Sequence, residues 1–349
     1  MHEDFATRLI DWYDRHGRDL PWRRTRDPYR IWLSEVILQQ TRVQQGLAYY
    51  ERFTERYPTV GDLAAASEDE VLKLWQGLGY YSRARNLHAA ARSVAGHYGG
   101  RFPATYAELR ALKGVGDYTA AAVASMAFDL PHAVVDGNVY RVLARLFDLD
   151  LPIDTTAGRR AFAELAQQCL DGRRAARYNQ AIMDFGAICC TPAQPRCDSC
   201  PLADRCLALA AGRVAERPVK AGRTQTRDRW FNYLHLTDGA GRTLLHRRGP
   251  RDIWQGLYEF PLIETAGEVD YAALCADPAF RRLVGAQRPR LTAEVRMPKH
   301  QLSHQTLHAV FYRLEVSELP AGEAWITVAE SALGDYAVSR LTERYLLKE

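Results

Sequence analysis

Four cysteines between residues 190 and 206 constrain this chain more than any other feature. They read Cys190-x6-Cys197-x2-Cys200-x5-Cys206, in a stretch that also holds Pro192, Pro195 and Pro201. Thiolates are soft ligands, and four of them in one short loop suit either zinc or an iron–sulfur cluster. Zinc sites usually use two closely spaced cysteine pairs, and here only Cys197 and Cys200 are that close. Spacing alone leaves both metals open. Cys189 directly precedes Cys190 and would stretch the first gap to seven. Cys169 and Cys275 have no partner pattern and read as ordinary buried thiols. A set of seven cysteines arranged this way is unlike a secreted disulfide framework and fits a reducing compartment.

A chain of 349 residues is long for one core, so two domains are expected. Its apolar content, 47%, supplies a packed interior and excludes global disorder. The formal net charge is only +4, but arginines cluster in residues 23–30, 83–92 and 213–229. Such clusters suit phosphate contact or, more plainly, solvated helix faces. The first twenty residues carry His2, Glu3, Asp4, Arg8 and Asp11 and lack the apolar core of a signal peptide. No run is long and apolar enough for a membrane span, so no membrane partner is expected.

The first two thirds read as helical. Asp27-Pro28 is an N-cap followed by a proline at the first helical position. Residues 29–56 then keep helical apolar spacing, with Gly46 as the expected break. Ser67 to Glu70 and Thr105 to Glu108 have capping-box spacing. Residues 118–128 are rich in alanine, and residues 138–147 put Val139, Val142, Leu143 and Leu146 on one face. After Cys206 the pattern changes. Residues 213–229 are basic and polar and read as a linker. Short strand-like runs follow at 230–236, 242–247, 291–297 and 308–316, with a late helix at 328–333. The expected division is therefore a mostly α catalytic part over 1–212, a linker over 213–229 and an α+β domain over 230–349.

Three motifs carry chemistry. Leu112-Lys113-Gly114-Val115-Gly116-Asp117 sits between two helical stretches. Its glycines allow a tight turn with outward amides, and the next helix offers its N-terminus, a pairing that attracts phosphate. Glu35 lies alone in the apolar run Ile31-Trp32-Leu33-Ser34-Glu35-Val36-Ile37-Leu38. A carboxyl in apolar surroundings tends to keep its proton, as a general acid must. Asp136, in Val134-Val135-Asp136-Gly137-Asn138, precedes a helix and equally fits an N-cap. If the two carboxyl groups converge, they form a site for breaking an N-glycosidic bond through an oxocarbenium-like transition state.

Together these pieces resemble the helix–hairpin–helix DNA glycosylases of the endonuclease III superfamily. Leu20-Pro21-Trp22-Arg23, Ser34-Glu35-Val36 with Leu38-Gln39-Gln40-Thr41, and Gly77-Leu78-Gly79-Tyr80-Tyr81-Ser82-Arg83 narrow the resemblance to the adenine DNA glycosylase (MutY) family. The resemblance implies a four-iron, four-sulfur (4Fe-4S) cluster on Cys190, Cys197, Cys200 and Cys206. It implies that Glu35 protonates adenine N7, that Asp136 stabilises the sugar cation, and that Tyr118 and Asn138 assist them. It implies an adenine pocket of Leu20, Trp22, Arg23 and Gln180, a phosphate grip at Gly114 and Gly116, and wedging of the duplex by Gln40 and Tyr80. The implied partner is double-stranded DNA carrying adenine opposite 8-oxoguanine or guanine. A monomer is the default, since one chain carries all the parts, and without a targeting segment a cytoplasmic, nucleoid-associated location is expected.

The C-terminal part resembles a Nudix domain through Trp254-Gln255-Gly256-Leu257-Tyr258-Glu259-Phe260-Pro261. It has no R-E-x-x-E-E stretch, so recognition of 8-oxoguanine is expected there, not hydrolysis. Leu302-Ser303-His304 matches the family's Phe-Ser-His sensing loop, with leucine in place of phenylalanine. Lys113 stands where the hairpin often has proline, and Cys189-Cys190 doubles one ligand position. Two other readings compete: a bifunctional glycosylase and lyase, which needs a lysine nucleophile where Tyr118 stands, and a non-catalytic redox sensor.

Overall fold

The computed structural model describes residues 2–222 and 226–348. It divides into two compact units, Met1–Ala65 with Asn86–Gly222, and Ala66–Arg85 with Arg223–Glu349.

The first unit is helical. Its centre is the helix Asp117–Phe128, buried from Thr119 to Met126 on every side. Alanines there let three other helices approach closely: Pro28–Leu38, Tyr106–Ala111 and Ala175–Asp184. Pro28–Leu38 begins as the sequence indicates, with Asp27 accepting from the Tyr29 amide at 2.9 Å and Pro28 in the first turn. It is buried from Ile31 to Ile37, which carries Glu35 into the interior.

The expected break at Gly46 falls elsewhere. The helix ends at Leu38, residues 39–42 turn, and Val43–Arg56 runs unbroken through Gly46. A Cβ on Gly46 would lie 2.6 Å from Leu38 Cδ2. Glycine serves the close approach of the two helices rather than ending either.

The second unit holds a mixed sheet of β1 (Arg227–Thr237), β2 (Arg242–Arg247), β3 (Tyr258–Glu259), β4 (Leu262–Thr265), β5 (Arg290–Arg296), β6 (His300–Gln301), β7 (Gln305–Glu315) and β8 (Ile326–Ala329). The main order is β3-β2-β1-β7-β5. The long strands β1 and β7 run parallel at its centre, from Arg227 opposite Gln305 to Thr237 opposite Glu315. Their alternating side chains fill two cores: Phe231, Tyr233, Leu307 and Phe311 on one face, Leu234, Leu236, Tyr312 and Leu314 on the other. Helix Arg340–Leu346 covers the first face, through Leu341 and Tyr345. Pro278–Val284 covers the second, through Phe280 and Val284.

Two expectations change here. Residues 328–333 are not one helix: β8 pairs with β2 through Ala329, and a 3-10 turn follows over Glu330–Asp335. Residues 66–85 pack with the sheet. Lys73 Nζ donates to the Tyr336 carbonyl at 3.1 Å, Gln76 to Glu343 at 3.0 Å, and Tyr258 to Asp69 at 2.9 Å. Of the stretch read as a linker, residues 223–225 lie outside the described residues. Before them, Val219 accepts from the Ile153 amide at 3.0 Å and Asp154 from the Ala221 amide at 2.8 Å, so this part is tied to the first unit.

Candidate active site

Within the first unit a cavity of about 1120 Å³ opens among the helices and the hairpin. Glu35, Tyr118, Asp136 and Asn138 all line it, as do Leu20, Trp22, Arg23, Gln40, Gly114 and Gly116.

Glu35 is buried, and burial pushes its carboxyl up to about 7. The nearby charge of Asp136 raises it further, while a hydrogen bond from Tyr118 and the charge of Arg23 oppose the rise. The Tyr118 hydroxyl donates to Glu35 Oε2 at 2.7 Å, and burial holds that phenol well above its usual range. Tyr118 therefore stays a proton donor to Glu35 across neutral pH.

Asp136 is both an N-cap and a cavity group. Its Oδ1 accepts from the amides of Asn138 at 2.9 Å and Val139 at 2.8 Å, at the start of helix Gly137–Leu146. Asn138 Nδ2 donates to Oδ2 at 2.8 Å. Burial raises this carboxyl above its ordinary value, although the three donors and Arg141 oppose the rise. The helix N-terminus adds favourable field.

The helix holding Asp136 also reaches the cysteine loop. Arg141 donates to Asn138 Oδ1 at 2.8 Å, to the Gly186 carbonyl at 2.6 Å and to the Cys190 carbonyl at 2.7 Å. One turn on, Arg145 contacts Cys190 Sγ at 3.4 Å and the Thr191 carbonyl at 2.7 Å. Cys190, Cys197, Cys200 and Cys206 line one small cavity of about 30 Å³. The Leu202 amide donates to Cys200 Sγ at 3.4 Å. Among the described residues, no three His, Cys, Asp or Glu side chains are grouped so as to hold a single metal ion.

Sequence reasoning missed Asp184. It is fully buried and binds two arginines: Arg18 Nε donates to its Oδ1 at 2.9 Å and Arg23 Nη2 at 2.7 Å. Burial would raise this carboxyl, but the two guanidinium groups hold it below the usual carboxylate range. The signal was present, because Asp184 is a lone acid in Ala181-Ile182-Met183-Asp184-Phe185, as Glu35 is in its own run. Gln180 stands outside the cavity lining and accepts from Tyr13 at 3.0 Å, behind Arg23, whose guanidinium lies 5.7 Å from the Tyr13 ring centre.

The hairpin has the expected shape. Val115 donates to the Leu112 carbonyl at 3.1 Å and is buried, while Gly114 and Gly116 are exposed. Gly114 has φ 76°, and a Cβ there would lie 2.6 Å from Asn86 Cβ. Gln40, at the turn between its two helices, also has positive φ, 57°.

The remaining expected residues lie in the second unit. Tyr80 is 51% exposed, with φ 46°, in a turn where Trp75 Nε1 donates to the Gly79 carbonyl at 3.0 Å. Its hydroxyl meets Ser303 Oγ at 2.8 Å. Ser303 and His304 form the exposed tip of the β6–β7 hairpin, closed by Leu302 N to the Gln305 carbonyl at 2.8 Å. The acids of β3, β4 and the loop before β3 are occupied: Arg248 binds Glu259 and Asp252, and Arg229 binds Asp252 and Glu264.

Known families and proteins match both units of this chain. The HhH-GPD superfamily base excision DNA repair protein model matches residues 33–168, and the NUDIX domain model matches 232–348. An adenine DNA glycosylase of Mus musculus is 35% identical over 93% of this chain and 74% of its own. One of Rattus norvegicus is 44% identical over 61% of this chain, which spans 44% of that relative's length. A solved structure described as a thermostable thymine-DNA glycosylase superposes with a TM-score of 0.56 and 33% identity, over 60% of this chain and 97% of its own. Fold and site thus define a helix–hairpin–helix base-excision repair protein with a Nudix-like C-terminal domain. Within that class, the chain belongs to the adenine DNA glycosylase family.

Proposed function

We propose that this protein removes adenine mispaired with 8-oxoguanine or guanine from double-stranded DNA, by hydrolysing the N-glycosidic bond. The observation that carries the reading is Glu35, whose carboxyl is pushed up to about 7 in the cavity that Asp136 also lines. A carboxyl that keeps its proton up to about 7, beside one whose ionised form is met by two backbone amides and the Asn138 side chain, is the pair such hydrolysis uses. The bond is buried in stacked DNA, so adenine enters the cavity by flipping. Glu35 gives its proton to adenine N7, and Tyr118 steadies the carboxylate left behind. As C1′–N9 breaks, positive charge develops on the sugar, and Asp136, fixed by Asn138 and the Val139 amide, stabilises it. Water then adds to C1′, with Glu35 accepting its proton. Arg23, held by Asp184, faces the base together with Leu20 and Trp22. Gly114, Gly116 and the N-terminus of helix Asp117–Phe128 hold the phosphate backbone without reading sequence.

Cys190, Cys197, Cys200 and Cys206 fit a 4Fe-4S cluster: four thiols line one cavity, with an arginine and an amide directed at their sulfurs. Bound by these four cysteines, such a cluster would tie together the loop that carries Arg196 and Arg205. Ser303 and His304 meet 8-oxoguanine, while Gln40 and Tyr80 wedge into the duplex. Tyr118, not lysine, stands after the hairpin, and Lys113 is exposed before its glycines, which favours a glycosylase without strong lyase activity.

Single-turnover excision from a duplex with adenine opposite 8-oxoguanine tests the reading. Rapid adenine release, slower opposite guanine and negligible opposite thymine, is expected. Efficient covalent trapping of the DNA by borohydride would overturn the monofunctional part.

A further inference from the structure

Five thiols, not four, line the cysteine cavity. Cys189 is buried, 4% exposed, and joins Cys190, Cys197, Cys200 and Cys206 in that lining. Its thiol is in hydrogen-bonding contact with Cys200. Its carbonyl is fixed by the Arg196 amide at 2.9 Å, which closes the loop across the cavity. Cys190, the next residue, is drawn the other way, with Arg145 at its sulfur and Arg141 at its carbonyl. The proposed quartet leaves Cys189 without a use. A thiol held against one ligand and fixed in a turn has a chemistry of its own.

We propose that Cys189 is a redox partner of Cys200: when a peroxide strips the cluster, the two close a disulfide that shields Cys200 from deeper oxidation. The proposal rests on the cluster reading above. In the reaction two S–H bonds and the peroxide O–O bond break, and one S–S bond forms. The two thiols lose two electrons to hydrogen peroxide, and both protons leave in two molecules of water. Without a partner, Cys200 would proceed to the sulfinic acid, which thiols do not reverse. A disulfide is reversed by thiol exchange, so the ligand becomes available again.

The test uses the full chain as isolated. Iron and acid-labile sulfide are measured first. Absence of both sinks the cluster reading and the stripping step that rests on it, while the Cys189–Cys200 disulfide is still read on the apoprotein in the same way. After hydrogen peroxide, free thiols are alkylated, and the unreduced digest is mapped by mass spectrometry. A Cys189–Cys200 linked peptide as the main product is expected in the native chain. In Cys189→Ser, Cys200 is expected as sulfinic acid. Reloading with iron and sulfide after dithiothreitol should restore the native chain several-fold better than the variant. Cys189→Ala repeats the comparison should the buried serine hydroxyl impair folding. The proposal fails if Cys200 in the native chain is found alkylated or paired with another cysteine, or if its oxidation is the same in all three proteins.

Discussion

Glu35 carries a cost that its position makes measurable. Burial raises its carboxyl from the ordinary value to about 7, so the folded chain binds a proton that the unfolded chain has released. Stability therefore falls as pH rises through that window, by about 3 kcal/mol in all, and is flat above it. Glutamine can still accept from the Tyr118 hydroxyl and never ionises. Glu35→Gln is thus expected to raise the melting temperature at pH 8 and leave it little changed at pH 5, which thermal denaturation at the two pH values checks. The same substitution should slow adenine excision by about 10²- to 10⁴-fold while duplex binding survives. In the native chain, the single-turnover rate should fall as pH rises through about 7, because the acid form is lost there. A rate that instead rose across this range would remove Glu35 as the acid. The residue was legible in sequence because a lone acid in an apolar helix has few structural uses. Asp184 gave the same signal and went unread, since its arginine partners Arg18 and Arg23 lie far away in sequence.

At the scale of elements, helix Gly137–Leu146 connects the carboxylate at its N-terminus to the cysteine loop beside its second and third turns. Arg141 is the joint, binding Asn138, Gly186 and Cys190 together. Arg141→Met keeps the packing stem and removes the donors, leaving three acceptors unpaired at about 1–3 kcal/mol for each one buried. Excision and iron content per chain should fall together, and normal iron with normal excision would deny the link. The hairpin answers to backbone shape instead. Gly114→Ala forces a side chain into φ 76° against Asn86, at about 1–2 kcal/mol for the left-handed conformation alone. Duplex affinity should drop equally for matched and mismatched DNA, because the hairpin offers only backbone amides. Caps, alanine-rich packing and the glycine turn were readable in sequence, being local. The role of Gly46 and the strand at Ile326–Ala329 were not, since each is decided by a distant partner, Leu38 in one case and β2 in the other.

At the scale of the whole molecule, the basic stretch before β1 looks like a place to cut, and the contacts of residues 66–85 argue against it. This segment is helical by its own capping box, so sequence assigns it to the helical part. Yet its Lys73, Gln76 and Tyr81 bond to backbone or side chains of residues 336–343, and Arg85 donates to the Gln255 carbonyl at 2.6 Å. Leu72 lies 3.3 Å from where a Gly256 Cβ would sit. A chain ending at Gly222 keeps the segment but strips these partners, among them those of Leu72 and Tyr81. That chain should melt well below the native protein and aggregate on heating. It also loses Ser303, the hydrogen-bond partner of the Tyr80 hydroxyl, so its excision opposite 8-oxoguanine should fall toward its excision opposite guanine. Ser303→Ala in the full chain separates the two effects, because an exposed hydroxyl lost from a hairpin tip costs little stability. If Ser303→Ala melts normally but still narrows the difference between 8-oxoguanine and guanine, discrimination resides in the Tyr80–Ser303 contact. If the shortened chain melts with the native one and keeps its preference, residues 66–85 do not depend on the sheet.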